Sequence, residues 1–303
     1  APPLWLMLLF RFFQGAVYIA GVSILMGSIR RSSKSAAAMG AVGCSAILAI
    51  LLGIPLGGIL GQVSAAMPLY VGGAIGLSTG VLALFLMPKA SEAPASGSSF
   101  RELIALPGVR APATIVALER FAVGAFIVTL QLYGHHVLKV SDRQVSMWFS
   151  IFLTVFAFGT WPMARLGDRI DRWKLVAFGA VAYGASFVAL GSSVASISVV
   201  LAFGGLASAA IYGPSLGLTA QSVSDRSRGS AMAILNAAGT FGMFLGSTAS
   251  GIVSQLMLNS GVERAEAYTT IFVLAGASQV VSVVVAVRSS RLKTTSTPVY
   301  VES

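Results

Sequence analysis

Charged side chains are scarce in this sequence. They make up 10% of its 303 residues, and Asp and Glu together number 10. So little charge argues against a soluble globular protein, because such a protein needs many ionised groups on its surface.

Cysteine and histidine are nearly absent as well. The single cysteine, Cys44, excludes an internal disulfide and lies in an apolar run, where we expect a small buried hydrophobic residue. The two histidines, His135 and His136, are adjacent and have no cysteine or acid at ligand spacing. The sequence therefore predicts no metal site, and we expect both histidines to anchor a helix end at the membrane interface.

Long apolar runs are what the sequence has in abundance. Hydrophobic residues make up 56% of it, and its mean hydropathy is +0.85. About 20 apolar residues are enough for a helix to cross a bilayer. The sequence therefore predicts an all-α polytopic membrane protein surrounded by the lipid bilayer. Nine spans are expected, at residues 4–29, 36–60, 67–87, 112–135, 144–164, 174–194, 195–221, 230–256 and 267–287.

One connection is longer and more polar than the others. Residues 89–111 contain the stretch Ala-Pro-Ala-Ser-Gly-Ser-Ser and separate three spans from six. We therefore predict four parts: a partial N-terminal bundle of three helices over 1–88, a cytoplasmic linker over 89–111, a six-helix C-terminal bundle over 112–290 and a cytoplasmic tail over 291–303.

The distribution of Lys and Arg predicts the orientation, because cytoplasmic loops carry the excess of basic residues. Only Lys139, Arg143 and Arg264 fall on one side, and fifteen fall on the other. We therefore expect a bacterial inner-membrane protein with a cytoplasmic C-terminus, whose net charge of +10 reflects topology and not a nucleic-acid partner. The fifteen are Arg30, Arg31, Lys34, Lys89, Arg101, Arg110, Arg165, Arg169, Arg172, Lys174, Arg226, Arg228, Arg288, Arg291 and Lys293.

The chain also contains an internal repeat. A shift of 193 positions aligns the second span with the eighth without a gap, the first with the seventh and the third with the ninth. We therefore expect two related halves, the first lacking three opening helices, around a central cavity like that of alternating-access transporters. The identical residues in register are Met39 with Met232, Gly53 with Gly246, Gly58 with Gly251, Ile59 with Ile252 and Gln62 with Gln255.

The charged loop between the fifth and sixth spans resembles a motif of the major facilitator superfamily. It reads Arg-Leu-Gly-Asp-Arg-Ile-Asp-Arg-Trp-Lys from residue 165 onwards. Two positions depart from the motif, because Ala164 and Asp171 stand where it has glycine. The matching residues are Asp168, Arg169, Arg172 and Lys174.

Two helix motifs resemble the same family. Arg11-Phe-Phe-Gln14-Gly15 in the first span is similar to its Arg-x-x-Gln-Gly element, and residues 53–62 resemble the glycine-proline helix of its efflux members. The resemblance implies a two-bundle fold with nine of twelve transmembrane helices and an efflux activity like that of drug:proton antiporters. The residues expected to allow close helix packing are Gly53, Pro55, Gly57, Gly58, Gly246 and Gly251.

The resemblance also implies a gate in the charged loop. Asp168 would face the N-terminal end of the helix that starts near Ser35 in the other half, where the helix dipole favours a carboxylate. This contact is possible only while the halves meet on the cytoplasmic side, so it would favour the outward-open state. The alternative is a solvated loop whose basic residues only fix the topology.

Three ionisable residues lie within the predicted spans: Arg11, Glu119 and Arg120. An ionised group in a bilayer is costly unless it is paired or faces water, so all three are candidates for a proton-coupling charge network. Glu119 is the only acid among them, and burial favours the neutral form that proton exchange requires. The alternative is a static ion pair with an arginine on a neighbouring helix, because Arg120 points about 100° away around the same helix.

Polar residues form stripes on two predicted helices. In the seventh span they recur at steps of four, three and four, and the eighth span has a similar set on one face. Such a face either lines a water-filled cavity or bonds to adjacent helices. The candidates for a substrate cavity are Asn236, Tyr212, Ser208, Ser215, Thr240, Gln131 and Tyr133.

The sequence shows neither a buried set of histidine, acid and nucleophile nor a phosphate-binding glycine loop. We therefore predict that the chain is not an enzyme. The preferred interpretation is a monomeric secondary active transporter that moves a small solute by alternating access, without a cofactor, by proton-coupled efflux. An uptake symporter of the same fold and a transport-inactive membrane scaffold or sensor are the alternatives.

Overall fold

The computed structural model describes residues 4–27, 35–64, 66–86, 99–191 and 196–295. Within these ranges the regular structure is helical, with α-helices and one 3-10 turn. The helices are α1 (Leu4–Gly27), α2 (Ser35–Val63), α3 (Met67–Leu86), α4 (Phe100–Ala105), α5 (Pro107–His136), α6 (Asp142–Leu166), α7 (Arg172–Gly191), α8 (Ile197–Gln221), α9 (Arg228–Asn259), α10 (Arg264–Ala277) and α11 (Gln279–Thr295); the 3-10 turn is Asp225–Ser227.

The predicted all-α membrane fold is confirmed. Six helical segments between Pro107 and Arg291 are long and apolar enough to cross a membrane, and α1, α2 and α3 contain shorter apolar stretches within their described parts. Each of the first eight predicted spans corresponds to one helix. The ninth corresponds to α10 and α11, which are separated at Ser278.

The end of the stretch predicted as a linker is helical. Helix α4 begins at Phe100, where the backbone N–H of Ser99 donates to Oε2 of Glu102 at 3.0 Å. Helix α5 then begins at Pro107, five residues before the predicted start of this span. Proline suits the first position of a helix because its φ is already helical and no N–H is needed there. Glu119 therefore lies near the middle of α5, whereas the predicted span placed it closer to the N-terminal end.

Helices α5 and α9 pack against each other through glycine. A Cβ atom added at Gly242 or Gly246 of α9 would overlap the backbone carbonyl oxygens of Ala117 and Phe121 in α5. From the other side, a Cβ atom at Gly124 would overlap the carbonyl oxygen of Met243. The absence of side chains at these positions lets the two backbones approach closely, as small residues do between membrane helices.

The other glycines predicted to allow close packing do not have this role within the described structure. A Cβ atom at Gly53, Gly57 or Gly251 would meet nothing within 4 Å. On α2 the neighbouring Leu52 and Leu56 are exposed, which shows that this part of the helix does not pack against the C-terminal bundle. The contacts of Pro55 and Gly58 lie outside what the structure describes.

The N-terminal helices contact the C-terminal bundle near one membrane face. We call this the basic face; it carries the α6–α7 loop and the α8–α9 loop, and it is the face predicted as cytoplasmic. Near it, Ser23 and Met26 of α1 and Met39 of α2 are buried. A Cβ atom at Gly40 would lie 2.6 Å from Cβ of Ala164 in α6. The N-terminal helices therefore pack against the C-terminal bundle at the basic face.

The repeat inferred from the sequence agrees with these positions. The described part of α2 begins at Ser35, and a shift of 193 positions leads to Arg228, where α9 begins. Met39 and its equivalent Met232 are both fully buried. The division of the chain into halves stays a prediction that these two observations support.

The glycine contacts between α5 and α9 make a testable prediction. We expect Gly246→Ala to destabilise the protein by roughly 1 to 3 kcal/mol, because its methyl group has no room against the Phe121 carbonyl. Gly251→Ala on the same helix is the matched control, and it should leave the melting temperature unchanged or higher, since alanine favours helix. Equal melting temperatures for the two variants in thermal unfolding would contradict the packing described here.

Candidate functional site

A cavity of about 240 Å³ lies between the N-terminal helices and the C-terminal bundle. Helices α1 and α2 supply one wall, and α5, α6, α8 and α9 supply the others. Most of the lining is apolar, with a concentration of aromatic rings on α6. A largely apolar pocket with a few polar groups is typical of a binding site for a small molecule. We call this the central cavity.

Arg120 is the one charged side chain among the described residues that line the central cavity. Its guanidinium carbon lies 4.9 Å from the ring centroid of Phe156 and 4.8 Å from that of Tyr212. Contacts of this kind stabilise a cation on an aromatic face. They hold the guanidinium against an aromatic pair, and 18% of the Arg120 side chain stays accessible.

Tyr212, Asn236 and Thr240, three of the residues in the predicted polar stripes, add polar groups to the cavity wall. The hydroxyl of Tyr212 donates to Oδ1 of Asn236 at 3.4 Å. The amide nitrogen of Asn236 is buried and has no hydrogen-bond partner within the described ranges. Thr240 donates to the backbone carbonyl of Asn236, one turn earlier in α9. The wall therefore contains a buried N–H donor that has no partner among the described residues.

Glu119 points away from the central cavity into the C-terminal bundle, where it is fully buried. Its Oε1 accepts a hydrogen bond of 2.5 Å from the hydroxyl of Ser208 on α8. The same oxygen lies 3.4 Å from Nη1 of Arg120. The second oxygen, Oε2, has no partner in the part of the chain that the structure describes.

The partner of Glu119 is on its own helix, whereas the static-pair alternative named an arginine on a neighbouring helix. Successive residues on a helix point about 100° apart, so one faces the bundle and the next faces the cavity. The long Arg120 side chain nevertheless reaches back far enough to bring Nη1 within 3.4 Å of the carboxylate. The pair thus connects the bundle interior to the cavity.

Two further polar residues near Glu119 were missed by the sequence analysis. The hydroxyl of Tyr183 on α7 and Oε1 of Gln279 on α11 are buried without a partner among the described residues. Gln279 donates through its amide nitrogen to the carbonyl of Leu118, next to Glu119. Buried polar atoms without protein partners are places where ordered water binds. In the sequence, Gln279 could have been noticed as a polar residue after Ser278 in the middle of an otherwise apolar span.

The remaining cavity candidates lie elsewhere. Ser215 is buried and donates to the carbonyl of Ile211 in its own helix at 2.7 Å. Tyr133 packs edge-on against Phe272, with ring centroids 5.9 Å apart. Gln131 is exposed and continues by one turn the α5 stripe that lines the cavity. Ser208 contacts Glu119 and not the cavity, and the side chain of Arg11 lies outside the described residues.

The charged loop at the basic face is held by its own acids. Nη2 of Arg172 donates to Oδ1 of Asp168 at 2.5 Å. Asp171, which stands where the motif has glycine, accepts from the backbone N–H of Lys174 at 3.0 Å and so caps the start of α7. Arg169 and Lys174 are exposed. The predicted partner of Asp168 is the N-terminal end of the helix that starts near Ser35. The side chains there lie outside the described residues.

Ala164, the other departure from the motif, is buried between two glycines of neighbouring helices. A Cβ atom at Gly40 of α2 or Gly213 of α8 would lie within 3.0 Å of Ala164 atoms. Gly40 and Gly213 therefore leave room for the methyl group of Ala164, at the position where the motif has glycine.

The adjacent histidines make polar contacts at the end of α5. Nε2 of His135 lies 2.9 Å from Oδ1 of Asp142, and the His136 ring stacks on Tyr268 with Nδ1 3.1 Å from its hydroxyl. No group of three potential metal ligands occurs within the described ranges.

The sequence and the fold of this chain both resemble those of known proteins. A profile of the Major Facilitator Superfamily matches residues 112–299, which is more than half of the chain. The chain belongs to the major facilitator superfamily. Among solved structures it is similar to the human organic anion transporter MFSD10 (TETRAN), with a TM-score of 0.64 and 18% sequence identity over 88% of this chain and 67% of that one. No curated protein sequence matches.

Membership of the superfamily confirms the family resemblance of the charged loop and places the chain among membrane transport proteins. At 18% identity, the likeness to MFSD10 shows the fold alone. The efflux subtype and the number of absent helices stay predictions.

Proposed function

We propose that this major facilitator protein is a secondary active transporter that moves a small solute by alternating access, with Glu119 as the group that exchanges protons. The observation that carries the proposal is the pairing of a fully buried carboxylate with the one charged side chain of the central cavity. Through Arg120, the charge state of Glu119 and the occupancy of the cavity act on each other.

The surroundings of Glu119 suit a group that changes its charge. An ionised carboxylate inside a membrane bundle is costly unless it is neutralised. Its hydrogen bond from Ser208 is short, but its contact with Arg120 is longer than the usual 2.7 to 2.9 Å of a charge-assisted bond. The second oxygen, Oε2, has no hydrogen-bond partner among the described residues. A carboxyl group with one long contact to its counterion and one unpartnered oxygen is suited to gaining and losing a proton.

The contact between the halves supports alternating access. It lies at the basic face, and the central cavity lies farther into the bundle. Closing at the opposite face requires this contact to open. We propose that Asp168 and Arg172 form the gate and that Arg169 and Lys174 fix the topology, with the basic face in the cytoplasm of a bacterial cell and the protein acting as a monomer.

Efflux stays the direction predicted from the sequence. It rests on the resemblance of residues 53–62 to efflux members of the family, and parts of that stretch lie outside the described side chains. One observation favours the symport alternative. The positive charge of Arg120 in the cavity is suited to an anionic solute, and a proton that binds with the solute balances its charge. A transport-inactive scaffold is the remaining alternative, and it requires no response to Glu119.

A measurement without any substrate tests proton coupling. We expect the distance between spin labels at Val63→Cys and Arg143→Cys, at the face opposite the basic face, to change with pH in a Cys44→Ser background. Glu119→Gln should lose this response, because glutamine keeps the shape of the side chain but cannot exchange a proton.

Glu266→Gln is the matched control, since Glu266 is an exposed acid at the start of α10. It should respond to pH like the parent protein. A Glu119→Gln variant with the parent's full pH response would rule out Glu119 as the coupling group, and a parent that never changes its label distance would favour the scaffold.

The same labels test the gate. We expect Asp168→Asn to shorten the label distance at the opposite face, because the proposed gate needs the charge of Asp168 to favour the closed basic face. Glu102→Gln, on an exposed residue of α4 that keeps an acceptor for Ser99, should leave the distance unchanged. If Asp168→Asn behaves like this control, the loop is a topology signal only.

A further inference from the structure

The central cavity differs from a purely apolar pocket in the sign of its charge. Arg120 brings a positive charge, and the described lining residues include no acid to neutralise it within the cavity. A bound cation would therefore meet the guanidinium directly, whereas the carboxylate of Glu119 lies on the bundle side of it. The aromatic rings of Phe156 and Tyr212, which could otherwise attract a cation, already contact the guanidinium.

The hydrogen-bond donors of the cavity point to the same ligand chemistry. Arg120 carries five N–H donors, and its contact with Glu119 at 3.4 Å uses one of them weakly. The buried amide nitrogen of Asn236 has no partner within the described structure. Unused donors beside a cation match the oxygens of a carboxylate, sulfonate or phosphate group.

The walls define the rest of the ligand. The lining residues Phe149, Phe152 and Leu153 of α6 and Ile47 of α2 are apolar. A volume of about 240 Å³ holds one small ring or a short chain in addition to the charged group. The ligand class is therefore a compact organic anion with an apolar or aromatic body.

We propose that the central cavity binds small apolar or aromatic monoanions on Arg120, and that the bound anion replaces Glu119 as the counterion of this arginine. This inference rests on the proposed function, and it specifies the substrate class and the sense of the coupling for the same site.

The replacement of one counterion by another requires a proton. Once the anion pairs with Arg120, an ionised Glu119 is a buried charge without compensation. The other titratable groups that face it are Tyr183 on α7 and Tyr212 on α8, and neither supplies a positive charge. A proton from water therefore adds to the carboxylate when the anion binds, and it leaves when the anion leaves.

The coupling has a definite sign. Anion and proton bind together, so each raises the affinity for the other. The pair carries no net charge, and it crosses as a symport that a pH gradient drives and a membrane potential does not. In efflux by antiport, by contrast, the solute and the proton must exclude each other.

Binding to the purified full chain tests the inference with three probes of similar shape: benzenesulfonate as the anion, benzenesulfonamide as the neutral analogue and phenyltrimethylammonium as the cation. We expect benzenesulfonate to bind most tightly. Arg120→Gln should weaken its binding by about tenfold or more, because a charge-assisted contact is lost. Arg110→Gln, an exposed arginine of the same helix, should not.

Proton uptake tests the exchange of counterions. Benzenesulfonate does not titrate near neutral pH, so a pH-sensitive dye in weak buffer reports the protein alone. We expect the parent protein to take up about one proton per anion bound, and its affinity to rise as the pH falls. Glu119→Gln should bind the anion without proton uptake and without this dependence on pH.

Several results would overturn the inference. Equal binding of all three probes to the parent protein, or unchanged anion affinity in Arg120→Gln, contradicts the substrate class. Anion binding without proton uptake contradicts the exchange of counterions. Should Arg120→Gln fail to fold, Asn236→Ala and Arg120→Lys must each weaken benzenesulfonate more than benzenesulfonamide. None of these results affects the pH response of the spin labels, so the proposed function can stand while this inference fails.

Discussion

The contact between Arg120 and Glu119 is the interaction on which the rest of the site depends. Two adjacent residues of one helix place a cation at the cavity and a carboxylate inside the bundle, with 3.4 Å between Nη1 and Oε1. In a low-dielectric interior each charge is costly without the other. The aromatic pair of Phe156 and Tyr212 supports the cation, and Ser208 supports the anion. Any ligand that competes for one partner changes the free energy of the other.

The packing of α5 explains how this contact is held in place. Glycines let α9 lie directly against its backbone on one side, at Ala117 and Phe121. Gln279 of α11 bonds to the carbonyl of Leu118 on another side. The residues before and after Glu119 are thus fixed by backbone contacts, which leaves the two charged side chains as the adjustable part. The N-terminal helices meet this bundle near the basic face and supply one wall of the same cavity.

Much of this arrangement was predictable from periodicity. Apolar length gave the helices, and helical spacing put Tyr212, Asn236 and Thr240 on the faces that line the cavity. Periodicity relates residues on one helix, but it does not say how that helix is rotated against its neighbours. For this reason Ser208 was expected at the cavity and instead contacts Glu119, and Tyr183 and Gln279 were not expected near it at all. Glycine motifs had the same weakness, because Gly246 and Gly251 look alike in the sequence and only Gly246 meets another backbone.

The protonation of Glu119 during anion binding is the central claim, and infrared difference spectroscopy measures it directly. Adding benzenesulfonate to the full chain should produce the C=O band of a protonated carboxyl group, which shifts in heavy water and is absent from Glu119→Gln. Such a band would show that the anion and the proton bind as a pair. An unchanged carboxyl region in the parent protein, despite saturating anion binding, or the loss of an existing protonated band would contradict it.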